Sequence, residues 1–212
     1  MKALIVTACA ILCLGIQKNA LAVEFKANLE TATFAAGCFW GTEEYFRKIP
    51  GVVETRVGYT GGTVANPKYE DTNDGHTGHA ESVELKFDPK KVSYESLLDG
   101  FFKMHDPTTK NHQGNDVGSQ YRSAIFYNSD QQKLAALAFK KRVEASGAWN
   151  APVVTEIQPA GKFWQAEAHH QKYLQKDPSG YDNHYVRKIS FDKKDSLAPK
   201  AAPAAKKGSQ AS

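Results

Sequence analysis

Cysteine is nearly absent from this sequence. The chain of 212 residues has three cysteines, and two of them, Cys9 and Cys13, lie in an apolar stretch near the N-terminus. Cys38 is the single cysteine of residues 23–212, so this part of the chain cannot form an internal disulfide. Structural cysteines in exported proteins normally come in pairs, and a lone thiol in such a protein indicates a chemical use. We therefore treat Cys38 as a candidate nucleophile.

The N-terminal apolar run is too short to cross a membrane. It extends from Ala3 to Ile16 and has 14 residues, whereas a membrane-spanning helix needs about 20. Lys2 precedes the run, and Ala20-Leu21-Ala22 follows it as a small-x-small cleavage site, which is the pattern of an export signal. We predict cleavage after Ala22 and no stable membrane span, with an uncleaved anchor as the alternative. The mature protein is then periplasmic if the source is a Gram-negative bacterium, and secreted otherwise.

An excess of positive charge is missing from the central part of the chain. The formal net charge is +4, but seven of the 27 Lys and Arg residues and one of the 23 Asp and Glu residues lie in the two ends, residues 1–22 and 193–212. The remainder is slightly acidic, which argues against nucleic acid as a partner. The C-terminal end is rich in Lys, Ala, Pro and Ser and has no aromatic residue, a composition typical of disorder. We predict a signal peptide at 1–22, one catalytic domain at 23–192 and a disordered tail at 193–212.

Apolar periodicity and turn residues predict alternating strands and helices. Strands are expected at 31–35, 52–59, 79–87, 123–127 and 153–157, and helices at 42–48, 93–105, 130–146 and 163–174. Residues 63–78 and 108–122 are expected to be loops because both are rich in Gly, Asn and Asp. The order β-α-β-β-α-β-α-β contains a split βαβ unit. It predicts an α+β fold of the ferredoxin-like type, with a mainly antiparallel sheet and helices packed against it.

Cys38 lies between the first predicted strand and the first predicted helix, in Gly37-Cys38-Phe39-Trp40-Gly41. The N–H groups of the first helical turn carry a partial positive charge, which is expected to favour the thiolate over the thiol. Phe39 and Trp40 can form an apolar wall beside the sulfur. A buried core cysteine is the commoner interpretation of one cysteine in a globular domain, but here the flanking glycines and the cysteine count favour the nucleophile.

Glu81 is the second candidate for a chemical role. Alternation along residues 79–87 places it on the same face of the strand as Val83, Leu85 and Phe87. On an apolar face the loss of solvation raises the pKa of a carboxyl group, whereas at a wet end of the strand the pKa would stay ordinary. The residues alone leave both interpretations open.

Two histidines resemble part of a metal site. His76 and His79 are three residues apart and close to Asp74. No cysteine pair or further run of ligands accompanies them, so we interpret them as loop residues and predict no metal.

Taken together, the motifs identify a family. GCFWG (37–41), GYTGG (58–62), NPKYE (66–70), TGHAESVEL (77–85), GNDVGSQYRSAIF (114–126), and AEAHHQKYL (166–174) with DPSGY (177–181) follow one another from about Thr33 to Tyr181. In this order and spacing they resemble the peptide methionine sulfoxide reductase A family. The resemblance covers nearly the whole predicted domain.

This resemblance implies an activity and a role for individual residues. The activity is reduction of methionine (S)-S-oxide, in proteins and possibly as the free amino acid, which repairs oxidised proteins. Cys38 matches the nucleophile that attacks the sulfoxide sulfur and becomes a sulfenic acid, and Glu81 matches the acid that protonates the sulfoxide oxygen. The matching substrate-binding residues are Phe39 and Trp40 around the S-methyl group, Tyr69 and Tyr121 at the oxygen, and Asp116 as a further polar group.

The sequence departs from the family pattern at the C-terminus. Many members carry a cysteine after the Gly-Tyr pair and another further on, whereas Asp182 follows Gly180-Tyr181 here and no later cysteine exists. We expect an external thiol to reduce the sulfenic acid: a thioredoxin-like protein, glutaredoxin with glutathione, or dithiothreitol in vitro. We expect no bound cofactor and a monomer, with oxidised proteins and a thiol reductant as partners.

Two other functions stay open from the sequence. One is a cysteine hydrolase in which Cys38 is activated by a histidine such as His170. The other is a non-catalytic module that binds sulfoxides. A hydrolase needs no reductant, and a binding module turns nothing over with any reductant.

Overall fold

The computed structural model describes residues 28–192. The predicted signal peptide at 1–22 and the predicted tail at 193–212 lie outside these residues. The strands are β1 (Glu30–Ala36), β2 (Val52–Thr60), β3 (Ala80–Phe87), β4 (His112–Gln113), β5 (Asp116–Val117), β6 (Ser123–Tyr127), β7 (Glu156–Pro159) and β8 (Trp164–Gln165). The helices are α1 (Phe39–Arg47), α2 (Tyr69–Asn73), α3 (Tyr94–Met104), α4 (Asp130–Ser146) and α5 (Tyr173–Lys176).

The main sheet has six strands in the order β7-β6-β1-β3-β2-β8. All neighbouring strands are antiparallel except β6 and β7, which are parallel. The strand β3 lies between β1 and β2, so the β1-α1-β2 unit is split by a third strand, as in ferredoxin-like folds. The predicted α+β class and the mainly antiparallel sheet are confirmed.

The largest core cluster lies between the sheet and the helices α1, α3 and α4. Its centre is Phe34 of β1, whose ring stacks on Phe46 of α1 at 4.9 Å and on Phe101 of α3 at 5.3 Å. All three side chains are fully buried. Aromatic stacking therefore holds α1, and with it the residues that precede α1, against the middle of the sheet.

An ion pair between buried Glu43 and partly exposed Lys172 connects α1 to the rest of the structure. The carboxylate of Glu43 accepts hydrogen bonds from Lys172 Nζ at 2.7 Å, from the Lys172 backbone N–H at 2.7 Å and from Thr55 Oγ1 at 2.9 Å. Glu43 is 1% exposed, and a carboxylate at such a depth needs these partners. Through this group α1 is tied to β2 and to the chain that leads into α5.

Several predicted elements differ from the observed ones. The predicted helix at 163–174 is wrong: β8 pairs with β2 at its start, and only Tyr173–Lys176 is helical. Gln171 hydrogen-bonds to both the N–H and the C=O of Val57, and Lys172 has a left-handed φ of 55°, so this segment follows β2 instead of coiling. The predicted loops contain the short helix α2 and the β4-β5 hairpin. Within residues 28–192, no helix has the length and apolar content needed to span a membrane.

Candidate active site

Cys38 lies in the turn between β1 and α1. Gly37 precedes it with a φ of 94°, a conformation that glycine adopts without steric cost. Cys38 is the N-cap residue of α1 and is 7% exposed. The backbone N–H groups of Trp40 and Gly41 act to lower the pKa of its thiol. The turn thus holds the sulfur at the start of the helix, as predicted from the glycine-flanked motif.

A pocket of about 220 Å³ opens beside this sulfur. It is lined by Cys38, Phe39, Trp40, Tyr69, Glu81, Asp116, Tyr121 and Tyr181. The structure therefore brings together all seven residues selected from the sequence. Tyr181 is an addition for which the sequence analysis gave no role, although it belongs to the last of the matched motifs.

Glu81 is the most deeply buried polar residue of the pocket, with 2% exposure. It lies at the start of β3 opposite Tyr59 of β2, and its Oε2 accepts a hydrogen bond from the Phe39 N–H at 3.0 Å. Burial raises its pKa to about 8 against the opposing effect of that N–H, and the negative charge of Asp116 adds to the rise. At neutral pH the group is therefore mainly a neutral carboxylic acid and can donate a proton.

The resting state of Cys38 is a thiol, which differs from the expectation from sequence. Burial raises its pKa well above the ordinary value, and the charge that Glu81 carries once it is ionised adds to this. The N–H groups of Trp40 and Gly41 act in the opposite direction but do not outweigh the loss of solvation. The helix terminus lowers the pKa of the thiol as predicted, but desolvation has the larger effect, so the pKa stays raised.

Tyr69 and Tyr121 present phenolic hydroxyls to the pocket. Tyr69 begins α2, and its backbone N–H donates to Glu167 at 3.1 Å. Tyr121 ends a single 3₁₀ turn, and its hydroxyl donates to Asn73 Oδ1 at 3.4 Å. Burial raises the pKa of both phenols, so both stay protonated. Tyr69 can donate a hydrogen bond to a substrate oxygen, and Tyr121 can do so when its O–H turns from Asn73 to that oxygen.

Asp116 lines the pocket, and both of its carboxylate oxygens are occupied. Oδ1 accepts from the Tyr181 hydroxyl at 2.9 Å, and Oδ2 accepts from Asn183 Nδ2 at 2.8 Å. The residue therefore holds the C-terminal segment next to the pocket. This is a second contribution of Asp116 beside the predicted polar contact with substrate.

His170, considered above as the base of a hydrolase, does not line the pocket. Its Nδ1 accepts a hydrogen bond from Trp40 Nε1 at 3.1 Å, and the ring lies behind the aromatic side chains. A base must reach the proton that it removes. The geometry around His170 therefore gives no support to the hydrolase.

His79, one of the two histidines considered as metal ligands, has other partners, and His76 is exposed at the surface. His79 Nδ1 accepts from the Gly62 N–H at 3.0 Å, and its Nε2 lies 2.8 Å from the carbonyl oxygen of Val64. In the part of the chain from 28 to 192, no group of three His, Cys, Asp or Glu side chains is placed to hold a metal ion. Through these two contacts His79 stabilises the loop that precedes β3.

The chemistry of the pocket follows from its three kinds of side chain. A sulfur nucleophile faces an apolar wall, and a neutral acid with two phenols can donate protons or hydrogen bonds to an oxygen. Such donors are needed when the oxygen of an electrophile must be protonated before it can leave. These features define a thiol-dependent oxidoreductase that acts on a small oxidised group.

Comparison with known proteins identifies the family. The family model described as "Peptide methionine sulfoxide reductase" matches residues 30–201. The enzyme "Peptide methionine sulfoxide reductase MsrA" of Methanothermobacter thermautotrophicus is 59% identical over 152 residues, which are 72% of this chain and 90% of that protein. The chain belongs to the peptide methionine sulfoxide reductase A family. Membership of this family confirms the predicted peptide-methionine (S)-S-oxide reductase activity, its dependence on thiols and its role in protein repair.

Solved structures agree with this assignment. Mxr1 of Saccharomyces cerevisiae in its reduced form is similar with a TM-score of 0.71 and 38% identity, over 76% of this chain and 94% of that chain. A structure of Mxr1 in complex with Trx2 is similar with a TM-score of 0.52 and 30% identity, over 76% of this chain and 92% of that chain. These structures are of the same family as the sequence relatives.

Proposed function

We propose that Cys38 is the nucleophile and Glu81 the proton donor for methionine sulfoxide in this chain. The observation that carries the proposal is that the only cysteine of residues 28–192 shares a small pocket with a carboxyl group whose pKa is raised to about 8. Cys38 sulfur attacks the sulfoxide sulfur, and the oxygen, protonated by Glu81, is transferred to Cys38. The thiol becomes a sulfenic acid, the sulfoxide becomes the thioether of methionine, and Glu81 regains the proton that the thiol gave up.

The other pocket residues bind the substrate. Phe39 and Trp40 offer an apolar surface for the S-methyl group, and the hydroxyls of Tyr69 and Tyr121 donate to the sulfoxide oxygen. The hydrogen bonds to the oxygen gain strength as negative charge develops on it, so they favour the transition state over the bound substrate.

The sulfenic acid is regenerated by thiols from outside the chain. No second cysteine exists in residues 23–212, so the first external thiol forms a mixed disulfide with Cys38 and releases water. A second thiol then releases Cys38 and leaves as a disulfide. The structure of Mxr1 in complex with Trx2 supports a thioredoxin-like protein as the reductant. Glutaredoxin with glutathione, and dithiothreitol in vitro, can supply the same chemistry.

The central test is turnover of each sulfoxide epimer by residues 23–212. With dithiothreitol we expect many turnovers of the S epimer and none of the R epimer. Without thiol we expect one equivalent of methionine and a gain of one oxygen at Cys38 in the mass spectrum. Cys38→Ser should release no methionine, because a neutral hydroxyl is a far weaker nucleophile than a thiolate. Repeated turnover without thiol would contradict the proposed cycle.

We further propose that the protein is exported as a monomer after cleavage behind Ala22. The support is the charged, apolar and small-residue pattern of residues 1–22. In a Gram-negative source the location is the periplasm, and otherwise the protein is secreted. N-terminal sequencing of the mature protein should begin at Val23, and an intact Met1 on the exported or membrane-bound protein would reject the cleavage.

A further inference from the structure

A groove of about 470 Å³ runs along one face of α1, outside the pocket that holds Cys38. Its first wall consists of five residues from α1 and the turn after it, which are Gly41, Glu44, Tyr45, Lys48 and Ile49. The first, third and fifth are four positions apart, as are the second and fourth, so these side chains form a row along the helix. We call this cavity the α1 groove.

The second wall of the α1 groove is the segment that follows α5. Asp182, His184, Tyr185 and Val186 line it, and the buried side chain of Met104 lies at its base. Tyr185 is 63% exposed and Val186 is 54% exposed. Among residues 28–192, three of the nine exposed large apolar residues lie between positions 181 and 186. Exposed apolar surface is thus concentrated here, as it is at binding sites.

The α1 groove adjoins the pocket along two stretches of the chain. Trp40 lines the pocket and Gly41 lines the groove; likewise, Tyr181 lines the pocket and Asp182 lines the groove. Gly41 and Asp182 are in contact, because a Cβ atom at Gly41 would overlap Asp182 Oδ1. A single layer of residues therefore separates the two cavities.

The substrate of this family is a methionine sulfoxide within a polypeptide chain. The pocket has a volume of about 220 Å³, whereas sites for drug-sized ligands have about 300–1,000 Å³. It has room for one side chain, so the neighbouring residues of the substrate must lie on the surface outside it. Along α1, the rise from Cys38 to Tyr45 is about 10 Å, which an extended chain crosses in about three residues. The α1 groove is thus within reach of those neighbours.

The chemistry of the α1 groove fits an apolar side chain. Its charged groups already have partners: Glu44 forms ion pairs with Arg47 and Lys48, each at 2.5 Å, and Asp182 Oδ1 accepts from the His184 N–H at 2.9 Å. The remaining surface is mainly aliphatic and aromatic. Methionine is itself an apolar residue of protein cores, so apolar residues frequently accompany it in the chain.

We propose that the α1 groove is a subsite for the substrate chain, which binds an apolar side chain about two to four positions from the methionine sulfoxide. This inference rests on the proposed function of the pocket. The contact is the same in the bound substrate and in the transition state, so the subsite lowers KM and leaves kcat unchanged. It directs the enzyme to sulfoxides within apolar segments of oxidised proteins.

The test uses peptides with one methionine (S)-S-oxide in a host sequence of Gly and Ser. One guest residue, which is Leu, Ser, Asp or Lys, is placed in turn at each of the four positions before and after the sulfoxide. N-acetylmethionine (S)-S-oxide has no flanking residue and is the reference substrate. Dithiothreitol is the reductant in all assays, so that binding of a protein reductant does not enter the result.

The variants are Val186→Asp and Val186→Lys, which place a charge of either sign in the α1 groove. Val53→Asp and Val53→Lys are the matched controls. Val53 is also 54% exposed, but it lies at the start of β2 and does not line the groove.

In the unsubstituted protein we expect a Leu guest at the favoured position to raise kcat/KM about tenfold over Ser, because the leucine side chain is partly buried. The change should come from KM. Val186→Asp should lose this preference and favour a Lys guest over Asp, whereas Val186→Lys should favour Asp over Lys. Both Val53 variants should behave as the unsubstituted protein. Opposite preferences at one guest position cannot result from a general loss of folding.

The other occupants of the α1 groove predict different results. Equal kcat/KM for all guests at every position, with turnover of the reference substrate intact, would overturn the proposal. An effect of the Val186 variants only on the KM for a thioredoxin-like protein would also overturn it, because the groove would then bind the reductant.

A guest preference that appears only after removal of residues 193–212, or only in dilute protein, would assign the groove to the C-terminal end of the chain or to a second copy. Either result would overturn the proposal. Failure of the unsubstituted protein to reduce the reference substrate would be a separate outcome, because it would reject the proposed function of the pocket and the subsite with it.

Discussion

At the scale of the residue, Glu81 shows how three opposing effects set the state of one carboxyl group. Burial at the start of β3 and the charge of Asp116 raise its pKa, whereas the hydrogen bond from the Phe39 N–H lowers it. The result of about 8 lies close to neutral pH. An acid whose pKa lies near the working pH combines a high protonated fraction with a useful tendency to release its proton.

We expect Glu81→Gln to lower kcat by about 100- to 10,000-fold with a smaller effect on KM, because the lost proton acts mainly in the transition state. Catalysis needs the protonated acid, so activity of the unsubstituted protein is present below the pKa and falls as the pH rises through about 8. In Glu81→Gln this alkaline decline should be absent. Steady-state kinetics between pH 6 and about 9.5 measure both effects.

Glu84→Gln on the same strand is the control for that experiment. Glu84 Oε1 forms an ion pair with Arg56 Nη2 at 2.6 Å, and Glu84 does not line the pocket. Its replacement should therefore leave kcat unchanged. If Glu81→Gln has the kcat of the unsubstituted protein, a tyrosine or water supplies the proton and Glu81 is not the donor.

At the scale of the element, the chain after α5 closes the site although residues 177–192 have no helix or strand. Tyr181 and Asn183 hydrogen-bond to Asp116, and His184 Nε2 donates to the carbonyl oxygen of Ala36 at 2.7 Å. Further along, Phe191 is 2% exposed within the main core. These contacts place Tyr181 in the pocket and bring the segment against the turn that carries Cys38.

Gly41 is the position where this segment approaches α1 most closely. A Cβ atom at Gly41 would lie 2.2 Å from Asp182 Oδ1 and 2.2 Å from His184 Nδ1. The second glycine of the GCFWG motif is therefore explained by a contact with residues more than a hundred positions away in the chain.

We expect Gly41→Ala to displace the segment and move Tyr181 out of the pocket. Alanine favours a helix over glycine by about 1 kcal/mol, but the forced contacts cost about 1–3 kcal/mol, so the net effect is loss of the segment's docking. Limited proteolysis should cut within 177–192 faster, and KM should rise. Gly161→Ala is the control, because nothing lies within 4 Å of a Cβ there. Unchanged proteolysis and KM in Gly41→Ala would mean that the segment adjusts without leaving the site.

At the scale of the whole molecule, a buried polar chain connects α3 to the sheet. His105 Nδ1 donates to the carbonyl oxygen of Phe101 at 2.6 Å, and its Nε2 accepts from Ser123 Oγ at 2.8 Å. Ser123 Oγ is 2.8 Å from Thr155 Oγ1. Burial lowers the pKa of His105 to about 3, with only partial opposition from the hydrogen bond to Phe101. The folded protein thus requires a neutral histidine in its core.

This requirement predicts that the free energy of unfolding falls as the solution becomes more acidic. Above a pH of about 6.5 the histidine is neutral in both states; below it the unfolded chain binds the proton and the folded protein does not. The contribution of His105 is therefore full above about 6.5 and is lost progressively as the pH falls towards 3, at about 1.4 kcal/mol per pH unit at most.

Urea unfolding midpoints at pH 7, about 5.5 and about 4.5 measure this loss. In His105→Gln the midpoint should depend less steeply on pH, even though the variant is less stable at pH 7. His76→Gln, at an exposed position, should keep the original dependence. Equal slopes in His105→Gln and the unsubstituted protein would assign the acid sensitivity to carboxylates.

The sequence by itself was enough for the class of fold, the family and, through the family resemblance, seven of the eight residues that line the pocket. The split βαβ order, the strand at 123–127 and the helix at 130–146 follow from local periodicity, and the structure has these two elements with the same bounds. The single cysteine and the place of Glu81 on the face of Val83 and Leu85 also follow from the residues alone, because side chains alternate along a strand.

Tertiary structure decided the properties that depend on residues distant in the chain. Local pattern predicted a helix at 163–174, but Gln171 hydrogen-bonds to the backbone of β2, and this long-range contact overrides the helical periodicity. The helix terminus predicted a thiolate at Cys38, but burial by the surrounding elements raises the pKa of the thiol. The hydrogen bond between Trp40 and His170 joins residues 130 positions apart. Desolvation and such contacts arise only when the elements pack together, which is why the sequence could name the residues of the pocket but not their protonation or their supports.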